Sequence, residues 1–126
     1  THDFMIRDGD FDTPMVNEPF IEVFSAGNSG SAASTITAPK EAKNIIVVGA
    51  SRNQRVGSID DLAGFSSRGP ALDSRTLPTI SAPGEQIAST RRVAGASQCG
   101  TAIGAGVLAN YAFCSGTSMA SPQVAG

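Results

Sequence analysis

The strongest hydrophobic signal in the chain is the unbroken run Ile45-Ile46-Val47-Val48-Gly49-Ala50, opened by Asn44. Continuous apolar runs rich in β-branched residues mark strands buried on both faces, which is the habit of parallel sheets. Phe20-Ile21-Glu22-Val23-Phe24 predicts a second buried strand, ending at Ser25. Thr79-Ile80-Ser81-Ala82-Pro83-Gly84 predicts a short strand closed by a turn, and Gln86 to Thr90 another short strand. Helical spacing appears at the far end, where Ala120 and Val124 lie four residues apart and can bury one face. Within that helix Pro122 lacks the N–H that would reach the Ser118 carbonyl, so it tilts the first turn. At the near end, Asp3 to Arg7 reads as the end of a helix, followed by the turn Asp8-Gly9-Asp10 and an acidic stretch broken by Pro14. Gly30 to Thr37 is a loop of small residues, Lys40 to Lys43 and Arg52 to Asp61 are polar, and Leu72 to Leu77 is an exposed excursion.

Strands separated by loops and closed by a helix, with no internal repeat and no low-complexity linker, predict one α/β unit over residues 1–126. Composition changes this picture little: 40% apolar and 16% charged residues are ordinary for a folded soluble domain. A net charge of -2 and a pI near 5.2 leave no basic footprint for nucleic acid or an anionic membrane. No apolar run is long enough to span a bilayer, and the first residues lack a signal-peptide pattern.

The candidate chemistry lies in Gly116-Thr117-Ser118, where a glycine turn delivers a serine to the first turn of a helix. A serine hydroxyl can attack a carbonyl if it is exposed, if a base takes its proton and if fixed donors meet the oxyanion. The helix start supplies free N–H groups and the positive end of the dipole. Spacing alone favours the plainer reading of a capped surface helix, since Ser and Thr are ordinary N-cap residues. Asn28 lies just past the end of a strand, the edge at which sites assemble in parallel sheets. Its loop, Gly27-Asn28-Ser29-Gly30, has neither the lysine of a phosphate-binding loop nor the spacing of a dinucleotide fingerprint. Asp8, Asp10 and Asp12 lack the downstream glycine and glutamate of a calcium loop, so no metal is assigned to them. Cys99 and Cys114 with one distant histidine cannot close a four-ligand zinc site, leaving either two buried thiols or a disulfide.

The string Gly116-Thr117-Ser118-Met119-Ala120-Ser121-Pro122, followed by Val124-Ala125-Gly126, resembles the nucleophile segment of the subtilisin-like serine proteases, the subtilases. Ser25-Ala26-Gly27-Asn28-Ser29-Gly30 resembles the segment carrying that family's oxyanion-hole asparagine. Val47-Val48-Gly49-Ala50, Phe65-Ser66-Ser67-Arg68-Gly69-Pro70 and Ala82-Pro83-Gly84 follow in the family's order, so the resemblance runs from about Phe20 to Gly126. Thr79 stands where the family usually has an acid.

The resemblance implies a doubly wound parallel sheet, here the C-terminal half of a catalytic domain, and a serine endopeptidase acting through an acyl-enzyme on peptide or protein substrates. Ser118 would be the nucleophile, Asn28 and the Ser118 N–H the oxyanion donors, and Thr117 a supporting donor behind them. Ser25, Ala26 and Gly27 would form one wall of the primary specificity pocket, with a cis proline at Ala38-Pro39 nearby. None of the three is acidic, which speaks against a preference for basic residues. The triad aspartate and histidine would belong to a missing N-terminal half. His2, the single histidine, is followed by Asp3-Phe4-Met5 rather than the family's His-Gly-Thr, and is expected to be a solvated terminal residue. The 126 residues alone are therefore expected to be inactive. No cofactor is expected, although the resemblance allows structural calcium in the parent protein. The family's secreted habit favours an extracellular or cell-envelope location and a Cys99–Cys114 disulfide. The alternative is a non-catalytic pseudo-protease that binds or scaffolds.

Overall fold

A three-stranded parallel sheet forms the centre of the computed structural model, which describes residues 2–10, 12–92 and 99–126. Its order is β1 (Val23–Ser25), β2 (Ile46–Ser51) and β3 (Ile80–Pro83), with β2 in the middle. The register pairs Val23 with Ile46 and Val48 with Ile80. The rest comprises α1 (His2–Met5), an antiparallel hairpin of β4 (Ile87–Thr90) and β5 (Tyr111–Cys114), a 3-10 turn (Gly106–Asn110) and α2 (Thr117–Ala125).

β2 is buried on both faces because its side chains alternate across the sheet. Val48 and Ala50 pack with Ala82, Ala63 and Ala120 on the face covered by α2. Val47 points the other way, into a cluster with Ala26, Ile36 and Ile45 that Ile6 and Leu77 close. Val47 and Val48 are fully buried, each contributing about 2 kcal/mol of hydrophobic stabilisation. The parallel α/β architecture expected from the apolar run is the one observed.

The boundaries differ. β1 begins at Val23 rather than Phe20, and Ile21 is 78% exposed. Pairing starts only where β2 offers a partner, and Ile46 N–H already reaches back to the Glu22 carbonyl. β2 begins at Ile46 because the Lys43 and Asn44 N–H groups donate to Asp3 instead. Those bonds, the one from Asn44 first, hold the Asp3 carboxyl below its ordinary range.

His2 is not the solvated terminal residue expected. Its Nδ1 lies 3.0 Å from a Glu22 oxygen, and its ring meets Phe24 edge-on at 5.4 Å. This pair precedes β1, whereas Asn28 follows it, so His2 sits at the edge of the sheet remote from Asn28. In the acidic stretch, Asp8 accepts from the Asp10 and Glu18 N–H groups, and Asp10 from Asp12 and Thr13. The Asp8 and Asp10 carboxylates are thus met within the loop.

Candidate active site

The C-terminal end of β1 and the N-terminal end of α2 meet at one edge of the sheet. Asn28 Oδ1 accepts hydrogen bonds from the Thr117 N–H and the Thr117 hydroxyl, both at 2.9 Å. The same hydroxyl oxygen accepts from the Gly27 N–H at 3.1 Å. A backbone N–H can only donate, so the Asn28 atom facing it is the oxygen and Nδ2 is turned away. That nitrogen lies beside Gly116: a methyl built there would be 3.4 Å from Nδ2 and 3.7 Å from Met119 Sδ. Thr117 is fully buried and fixes the orientation of the amide.

Ser118 follows Thr117 and is exposed, and its hydroxyl has no hydrogen-bond partner among the described residues. Its N–H, in the first turn, has no acceptor within the helix. An exposed hydroxyl, a free N–H at a helix start and a pre-oriented amide can together receive and stabilise an oxyanion. Pro122 lies inside α2, as the sequence implies, and leaves the Ser118 carbonyl off the helical ladder. A cleft of about 370 Å³ runs between Ile87, Ala88 and Ser89 of β4 and Ser118, Met119, Pro122 and Gln123 of α2.

At Gly116 the backbone itself does not demand glycine. Its backbone is extended, a conformation open to any residue, but a side chain there would cover the Asn28 amide. The residue whose smallness positions the helix is Gly84. Gly116 N–H donates to the Gly84 carbonyl at 2.8 Å, and Gly84 N–H to Ser51 at 2.9 Å, so α2 is hung from the end of β2. A methyl on Gly84 would come within 2.6 Å of Ala50 Cβ and 2.8 Å of the Gly116 carbonyl. Gly84→Ala is therefore expected to cost about 2 kcal/mol through overpacking, read as a lowered denaturation midpoint in the full-length protein. An unchanged midpoint would refute this close packing.

Of the three residues assigned to the pocket wall, Ser25 ends β1 half-buried and Ala26 is fully buried among Ile36, Ile45 and Val47. Ala26 can offer only backbone to a ligand. Gly27 has φ +108°, which favours glycine. The loop it opens is braced by the Phe65-Ser66-Ser67-Arg68 segment: Ser67 N–H donates to the Gly27 carbonyl, Ser29 N–H to the Ser67 hydroxyl, and Gly30 N–H to the Phe65 carbonyl. Of these braces only the one to the Ser67 hydroxyl depends on a side chain, which gives Ser67 a part in holding the Asn28 loop. Ala38-Pro39 is cis, as expected, and Cys99 is bonded to Cys114. Among the described residues, no three His, Cys, Asp or Glu side chains gather into a group able to hold a metal ion.

Comparisons with known proteins bear on the chain as a whole. The serine protease AprX of Bacillus subtilis (strain 168) is 39% identical over 111 residues, covering 81% of this chain and 23% of that protein. The thermophilic serine proteinase of Bacillus sp. (strain AK1) is also 39% identical over 111 residues, covering 87% of this chain and 20% of that protein. This chain therefore spans about a fifth of the length of these relatives. Among solved structures, S41 psychrophilic protease superposes with a TM-score of 0.54 at 32% identity, over 80% of this chain and 30% of its own. Sphericase gives 0.52 at 31% identity over the same shares. The model of the subtilase family matches residues 6–126, and on that match over all but its first five residues the chain belongs to the subtilase family.

Proposed function

We propose that Ser118 is the nucleophile of a serine endopeptidase whose general base and orienting carboxylate come from outside these 126 residues. The observation that carries this reading is the Asn28–Thr117 pair, which turns the amide nitrogen toward Gly116 at the start of the serine's helix. Ser118 Oγ attacks the scissile carbonyl and gives its proton to the base, and the new oxyanion is met by Asn28 Nδ2 and the Ser118 N–H. Collapse breaks the C–N bond, the base protonates the leaving amine, and water then hydrolyses the acyl-enzyme. No cofactor enters the chemistry. The substrates are peptides or proteins, bound with Ser25, Ala26 and Gly27 along one side. The Cys99–Cys114 disulfide supports an extracellular or cell-envelope location, because such bonds persist in oxidising compartments. Among the described residues, no helix is long and apolar enough to cross a membrane.

Labelling with a fluorophosphonate tests the reading, since only an activated serine reacts. The full-length protein is expected to label and Ser118→Ala to abolish it. The isolated chain is expected neither to label nor to cleave peptides, because His2 is bound to Glu22 and remote from Asn28. Failure of the full-length protein to label would leave the pseudo-protease reading, a binding or scaffold domain. Met119 adds a second check. Its sulfur and the Asn28 amide flank the same glycine, so a sulfoxide oxygen would compete for the amide. Peroxide is expected to reduce kcat several-fold, and Met119→Ala to protect; equal loss in both would place the lesion elsewhere.

A further inference from the structure

The ammonium of Lys40 is held against the glycine that precedes Asn28. A methyl built on Gly27 would lie 3.2 Å from Lys40 Nζ and 3.1 Å from the Ser67 hydroxyl. The lysine is half-buried, its N–H donating to the Thr37 carbonyl in the turn around cis Pro39. Among the described residues its ammonium has no carboxylate partner: the ion pairs join His2 to Glu22, Arg52 to Asp61 and Glu85, and Arg75 to Asp73. The adjacent acid, Glu41, is occupied elsewhere, accepting from the Leu72 N–H while its carbonyl accepts from Arg75. A cation with no carboxylate partner among the described residues is free to pair with an anion brought in by a ligand.

Its position says which anion. If the substrate carbonyl sits between Ser118 and Asn28, the side chain on the acyl side of the scissile bond starts one carbon from that carbonyl. On the reading that Ser25, Ala26 and Gly27 form one wall of the pocket, that side chain runs beside Gly27. Gly27 has no side chain to screen Lys40 from it.

We propose that Lys40 is a specificity-determining residue that selects peptides with glutamate or aspartate on the acyl side of the cleaved bond. The inference rests on the reading of Ser118 and Asn28 as nucleophile and oxyanion donor.

The test compares paired peptides differing only in Glu or Gln at that position, with a Leu peptide as reference, cleaved by the full-length protein. The Glu peptide is expected to have a kcat/KM about tenfold above the Gln peptide at low salt, the ratio falling as salt screens the pair. Lys40→Met should bring the Glu/Gln ratio near one while leaving the rate of fluorophosphonate labelling at Ser118 within about twofold, and Lys40→Glu should favour a Lys peptide over both. Labelling of Ser118 and cleavage of the Leu peptide, with no Glu preference or one that survives Lys40→Met, would overturn the role of Lys40 alone. Absence of both labelling and cleavage would overturn the peptidase reading and this proposal with it.

Discussion

Replacing Asn28 by leucine in the full-length protein is expected to lower kcat by about 10²- to 10³-fold, a magnitude carried over from the corresponding donor of subtilisin, while KM changes little. The split follows from timing: the Nδ2 contact strengthens only when the carbonyl oxygen becomes an oxyanion, so its loss falls on the chemical step. Leucine is close in size, so the loop should keep its braces to Ser67 and Phe65. Thr117 sharpens the measurement. Its hydroxyl touches the active site only through Asn28 Oδ1 and the Gly27 N–H, so it acts as a positioning residue. Thr117→Val should lower kcat in the wild-type background and have much less effect once Asn28 is leucine, a coupling that a double-mutant cycle reads directly. Additive losses, or a loss in KM alone, would mean that Asn28 holds the fold or the ground-state substrate rather than the oxyanion.

How much of this could be seen in the sequence depended on whether the signal was periodic, motif-like or purely spatial. Val47 and Val48 were legible because opposite faces of a buried strand both demand apolar residues, and the structure sends them into separate clusters. The start of β1 was not, since Phe20 and Ile21 have strand-like chemistry but no strand opposite them. Asn28 and Ser118 were legible through long motifs, whose residue types follow from a shared edge. Even so, the sequence suggested a conformational reason for Gly116 where the structure gives a spatial one. His2 looked solvated because nothing in its neighbours announces Glu22, which becomes its partner only by folding. Lys40 looked like one more polar surface residue, because its contact with Gly27 depends on how the turn after residue 36 folds back.

The Cys99–Cys114 disulfide is the other feature on which a large effect is expected. The sequence left free thiols and a bond both open, and the structure forms the bond across a separation of 15 residues. Closing a loop of that size removes chain entropy from the unfolded state worth about 3 kcal/mol, or roughly a 150-fold shift in the folding equilibrium. Among the described residues, Gly100 N–H donates to Phe113, Ile103 N–H to Tyr111 and Tyr111 N–H to Leu108, Ala102 bridges Ala112, and Arg91 holds the Ala109 and Asn110 carbonyls from outside the loop. The double variant Cys99→Ser/Cys114→Ser is therefore expected to lose about that 3 kcal/mol in denaturant unfolding of the full-length protein. Hydrogen exchange should quicken first between residues 99 and 110. Catalysis by the still-folded fraction should change much less, because the start of α2 is held separately, by Gly116 on Gly84 and by the Ser115 hydroxyl on the Gln86 N–H. A stability loss below about 1 kcal/mol would mean that the reduced chain keeps this loop closed without the bond, and that the entropic account fails. A collapse of kcat at full folding would instead show that the disulfide, and not Gly84, sets the position of Ser118.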